Sequence, residues 1–126
     1  MRLDYSDVDD AVLDPVTARI DGGTFVMSGY VRWDGLCLNR EQDVKRKTHV
    51  PITLSVAPAT AFRFENLEAG TGDLIAGELM ITNGGVVIMG VVPGNLIVES
   101  PASPSAWFDS LALSEDAGII RFVGTT

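Results

Sequence analysis

One histidine, one cysteine and two groups of carboxylates are the residues of this chain whose chemistry could reach beyond packing. His49 is the only side chain suited to proton exchange near neutral pH, and it stands between Thr48 and Val50. A Ser-His-Asp or Cys-His nucleophile would need that base beside an activated group, yet no Gly-x-Ser-x-Gly elbow accompanies it. His49 therefore reads as a loop histidine at a strand start. Cys37 lies between Leu36 and Leu38, where a thiol behaves as a small apolar group, and no neighbouring cation or helix N-terminus would activate it. A single cysteine and a single histidine are too few for a structural zinc. No catalytic residue, no cofactor-binding residue and no metal ligand is assigned.

The carboxylates form a denser pattern. Asp4, Asp7, Asp9, Asp10 and Asp14 crowd the first fourteen positions. Their spacing misses a calcium loop, because Ala11 and Val12 stand where the third ligand and the glycine belong. That leaves a solvated acidic face or a patch that meets a basic protein. Asp109, Glu115 and Asp116 make a second, looser acidic group. Against them, Arg40, Lys45, Arg46 and Lys47 place four of the nine basic residues within eight positions, a segregation that suits an anionic ligand or a neighbouring subunit's acidic arm. The stretch Gly70-Thr71-Gly72-Asp73 matches neither a dinucleotide nor a Walker loop and reads as a turn.

Overall, 17 acidic against 9 basic residues give a charge of -8, which disfavours nucleic acid and favours a partner with a basic surface. Tyr30, Trp33, Phe62, Phe64, Trp107, Phe108 and Phe122 exceed what one small core must bury. Aromatic residues rimmed by charge typify recognition patches. The candidate partner-binding set is therefore Asp4, Asp7, Asp9, Asp10, Asp14, Tyr30, Trp33, Arg40, Lys45, Arg46, Lys47 and Trp107.

The elements that must carry these residues are strands. Turn dipeptides at Asp21-Gly22-Gly23, Asp34-Gly35 and Asn83-Gly84-Gly85 separate runs of β-branched and aromatic residues, predicting three hairpins. Val16, Ala18 and Ile20 alternate before the first turn. After it Phe25, Met27, Gly29, Val31 and Trp33 share one face of a long strand, with Val26, Ser28, Tyr30 and Arg32 on the other. Reversal at Asp34-Gly35 into Leu36-Cys37-Leu38 predicts a three-stranded meander over residues 16–40. Residues 39–48 form a polar surface connection. Alternation resumes at Val50, Ile52, Leu54 and Val56, where Pro51 marks an edge or bulge and Pro58 the end. Strands follow around Phe62 and Phe64, over 74–82, 86–92, 96–99 and 119–123. The 86–92 strand is apolar on both faces, which predicts a central position with a further layer or subunit beyond it. Residues 101–114 predict a short helical turn leading into a strand, with a loop over 114–118.

With 126 residues, 46% of them apolar, the chain suits one domain: an acidic N-terminal arm over 1–15 and a single β domain over 16–126. The fold class is mostly β, an antiparallel β-sandwich or partly open β-barrel built of hairpins with at most one short helix. One cysteine cannot close an internal disulfide, and Met1-Arg2-Leu3-Asp4-Tyr5 is no secretory leader, so a cytoplasmic location is expected. The longest apolar run has seven residues, against about 20 for a membrane-crossing helix. Three functions remain: an acidic inhibitor or immunity-type domain for a basic protein, an assembly subunit of a homo-oligomer, and a small-ligand-binding barrel lined by Trp33, Tyr30 and Phe64.

Overall fold

The computed structural model describes residues 1–67, 72–82, 85–92 and 94–124. Its strands are β1 (Arg2–Asp4), β2 (Val12–Leu13), β3 (Arg19–Asp21), β4 (Thr24–Arg32), β5 (His49–Ala57), β6 (Ala61–Glu65), β7 (Leu74–Ile81), β8 (Val86–Val92), β9 (Asn95–Glu99), β10 (Ser105–Asp109), β11 (Leu113–Asp116) and β12 (Ile119–Phe122). Ten of them form one open antiparallel sheet in the order β1-β10-β5-β4-β2-β7-β8-β9-β6, with β3 beside β4, and β11 and β12 form a small second sheet.

Period-two alternation explains how the large sheet folds over itself. Phe25, Met27 and Val31 of β4 and Val50, Leu54 and Val56 of β5 are fully buried, as are Leu74, Met89 and Leu96 from β7 to β9, and all belong to one core. The Phe25 ring meets Phe62 of the far edge strand at 5.0 Å. The product is an antiparallel sandwich with no closed barrel. Helical structure among the described residues is limited to three single 3-10 turns, Tyr5–Asp7, Pro15–Thr17 and Trp33–Gly35. No helix among them is long and apolar enough to cross a membrane.

Several local predictions hold. Gly22 and Gly23 both take positive φ, +57° and +81°, the geometry of a type I′ turn, and β3 pairs with β4 across them. β8 lies between β7 and β9. β10 stops opposite Thr53, so Pro51 falls beyond the end of that ladder and its carbonyl accepts the Ser110 hydroxyl at 2.6 Å. The Asn83-Gly84 part of the third predicted turn, Pro93, and residues 68–71 of the glycine-rich stretch lie outside the described residues.

Other expectations are corrected. The meander over 16–40 does not form: β4 pairs along its length with β5, and residues 36–40 contribute only the isolated bridges Val8↔Leu36 and Arg40↔Ile120. The cause is at Gly35, which does not take positive φ. It serves as a point of close approach, where a Cβ would press on the Asp9 carbonyl at 2.7 Å. Val16 is not in a strand either, because the Asp14 carboxylate accepts its amide at 3.0 Å and starts a 3-10 turn at Pro15. Residues 101–114 contain no helical turn; alternation wins because Phe108 must face the core while Leu111 is 99% exposed. The predicted loop over 114–118 is instead the β11–β12 hairpin, turning at Ala117 and Gly118 with φ of 52° and 79°.

Candidate functional site

The first fourteen residues are woven into the sheet at three points. Leu3 of β1 pairs with Phe108, Val8 bridges Leu36, and β2 sits between β4 and β7. Tyr5 adds a fourth anchor. Its ring stacks on Phe108 at 5.3 Å and its hydroxyl donates to the Gly77 carbonyl; burial pushes its pKa up to about 12. Gly29 makes room for β2, since a Cβ there would collide with the Val12 carbonyl.

Because the apolar residues of this stretch are anchors, its aspartates face outward in three groups. Asp4 and Asp7 meet Glu115 and Arg2 around a recess of about 220 Å³. Asp9 and Asp10 meet Asp34 and Arg32 around another of about 220 Å³. Asp14 meets Asp73, Thr17 and Tyr30 around a third of about 350 Å³. The two acidic groups of the sequence thus share one recess through Glu115, whereas Asp116 pairs with Arg121 at 3.3 Å. Among the described residues, Asp4, Asp7, Asp9, Asp10 and Asp14 form no ion pair, and no group of side chains is arranged to hold a metal ion.

The basic loop folds back toward the same end. Arg46 lies 3.9 Å from Asp34, which Arg32 holds at 2.8 Å, and Arg40 donates to the Trp33 carbonyl at 2.6 Å; Lys45 and Lys47 stay exposed. Trp33 is only 3% exposed, with its ring edge-on to Phe122 at 6.1 Å, so it offers a partner no surface. Tyr30 stacks on His49 at 4.0 Å on the outward face of the sheet, while Phe64 packs against Phe62. A pocket lined jointly by Trp33, Tyr30 and Phe64 is therefore not built, because parity puts Trp33 and Tyr30 on opposite sides of the sheet. Cys37 is exposed beside the Gly35 carbonyl.

Trp107 marks a further surface. Arg2 lies over its ring at 3.9 Å, and its indole N–H donates to Asp109 at 2.8 Å, where the Ser55 hydroxyl also donates at 3.4 Å. Asp109 opens a row that crosses five strands. It pairs with Thr53, Thr53 pairs with Ser28, and the Ser28 carbonyl accepts the Asp14 amide at 2.9 Å. Leu13 pairs with Leu74, which sets Asp14 beside Asp73. A groove of about 480 Å³ over Asp109, Thr53 and Ser28 shares Ser28 and Gly29 with the recess at Asp14 and Asp73, and Pro51 and Leu111 flank it.

Sequence reasoning missed this row. Members consecutive in the chain lie between 14 and 36 residues apart, and only strand register brings them together. The one signal available was parity, since each is the outward alternate of its strand or flanks one. The chemistry on offer here is acceptance of hydrogen bonds and attraction of cations. Comparison of the chain with protein-family models, curated proteins and solved structures found no match.

Proposed function

We propose that the chain is a non-enzymatic, cytoplasmic protein-binding domain that meets a basic partner, as a small inhibitor or immunity-type protein does. The observation that carries this reading is the treatment of the N-terminal aspartates. Tyr5, Val8 and β2 pin the backbone, and Asp4, Asp7, Asp9 and Asp10 are held outward and form no ion pair among the described residues. Carboxylates fixed in this way accelerate encounter with a basic surface and fix register on it. Holding them in place beforehand also lowers the ordering cost of association.

The test compares the wild-type chain with a variant carrying Asp4→Asn, Asp7→Asn, Asp9→Asn and Asp10→Asn, each used to capture basic proteins from native cells at low and high salt. A partner retained by the wild type at low salt should be bound about tenfold or more less well by the variant, which corresponds to four exposed ion pairs of a few tenths of a kcal/mol each. The reading fails when no basic protein separates the two chains.

A second reading, an assembly subunit, has its own observation. Ile75, Met80 and Ile81 on β7 are 42%, 52% and 54% exposed, beside the apolar strand β8. Such groups are buried when copies associate. Light scattering at high concentration tests this; a clean monomer removes it.

A further inference from the structure

We infer that the row Asp109, Thr53, Ser28, Asp14 and Asp73 is a binding groove for an extended peptide segment carrying two basic side chains four residues apart. The inference rests on the reading that the partner is a basic protein, and it names the part of that partner and the place it docks.

Register carries the argument. Neighbouring strands lie about 4.8 Å apart, so Asp109 on β10 and Asp14 beyond β2 are separated by three spacings, about 14 Å. An extended peptide rises about 3.3 Å per residue, so side chains four residues apart on one of its faces are about 13 Å apart. The two spacings agree. Between the carboxylates, the hydroxyls of Thr53 and Ser28 face the groove and suit the polar backbone of such a segment. Pro51 and the fully exposed Leu111 flank the Asp109 end, where they can pack against the aliphatic stem of a lysine.

The two ends have the right sign. Asp109 uses one oxygen, Oδ2, for both Trp107 and Ser55, and Asp14 uses Oδ1 for the Val16 amide, so each retains a second oxygen. Asp73 doubles the charge at the Asp14 end, within the same recess as Tyr30. On the same outward face, Arg2 is in register with Asp109 and lies over Trp107, Arg32 pairs with Asp34, and Arg19 stands farther along, in register with Val26. His49, the titratable neighbour on β5, is stacked on Tyr30.

The experiment measures binding of two synthetic peptides of identical composition, rich in β-formers, by calorimetry or fluorescence anisotropy at low salt. One carries lysines four residues apart, and the other carries them adjacent. The spaced peptide should bind about tenfold tighter than the adjacent one, and Asp109→Asn or Asp73→Asn should each remove that preference. Ser28→Lys, which places a cation in the groove, should abolish binding. Asp21→Asn, on the distant β3–β4 hairpin, should leave it unchanged. Thermal unfolding of each variant confirms that it is folded. Equal affinity for the two peptides, no binding by the wild type, or indifference to Asp109→Asn and Asp73→Asn would each overturn the groove. If such a failure occurs while a basic partner still distinguishes the wild type from the N-terminal Asn variant, the groove falls and the broader reading stands. If register-selective peptide binding appears without any captured partner, the broader reading falls and the groove stands.

Discussion

Gly29→Ala is the substitution that most directly asks whether the N-terminal stretch is part of the fold. A Cβ at this position would collide with the Val12 carbonyl and press on Leu13, and neither is a flexible side chain that could rotate away. β2 must therefore shift or detach. A small shift resembles overpacking, which costs about 1 to 3 kcal/mol. Detachment would expose Leu13, which is fully buried, at about 2 kcal/mol, and would lose the bonds from Asp14 N–H to Ser28 and from Ala76 N–H to Ala11 at about 1 kcal/mol each. The expected loss is thus about 2 to 4 kcal/mol, against a total stability of about 5 to 15 kcal/mol. For a chain of 126 residues this lowers Tm by about 8 to 15 °C. Thermal and urea denaturation give the magnitude, and amide exchange at Ala76 and Asp14 gives the location. A Tm within about 2 °C of the wild type, with protection of both amides retained, would refute the insertion of β2 between β4 and β7.

Three further outcomes follow from particular contacts. Tyr5 is held neutral by burial, with a folded pKa of about 12 against 10.0, so its contribution is complete below pH 10 and declines as pH rises toward 12. Allowing for its partial exposure, that decline is about 1 to 2 kcal/mol; Tyr5→Phe should remove it while costing about 1 kcal/mol at neutral pH, and an unchanged alkaline slope in urea titrations would contradict this. Ala117 takes φ of 52° in the β11–β12 turn, so Ala117→Asn should raise stability by about 0.5 to 1 kcal/mol; lower stability in urea titration would show that the turn is not strained. Leu111→Ser, at a fully exposed position, should change stability by less than about 0.5 kcal/mol while weakening lysine-peptide binding, and a large loss of Tm would place Leu111 in the core instead.

The aspartates of the N-terminus show how a legible group can have an illegible arrangement. Their number and crowding were plain, but their division among three recesses depends on Leu3 pairing with Phe108, Val8 with Leu36 and Leu13 with Gly29 and Leu74. Each of those pairings joins distant parts of the chain. Trp33 shows the converse. Alternation had already put it on the same face as Phe25 and Met27, which the structure buries, and a partner role for it set that parity aside.

What the chain determined by itself was local. Side-chain parity along β4 and β5, the Gly22-Gly23 reversal and the antiparallel, strand-rich class follow from steric limits on φ and from the two-residue period of extended backbone, both properties of short segments. What only the tertiary structure decided was which strands lie side by side. Asp34-Gly35 looked like a hairpin turn but became a contact point for Asp9, and Asp116-Ala117-Gly118 became a hairpin although alanine seldom accepts positive φ. The carboxylate and hydroxyl row from Asp109 to Asp73 exists only because five strands lie side by side in one register. Register is set by burying one face of every strand at once, a condition that no single segment contains.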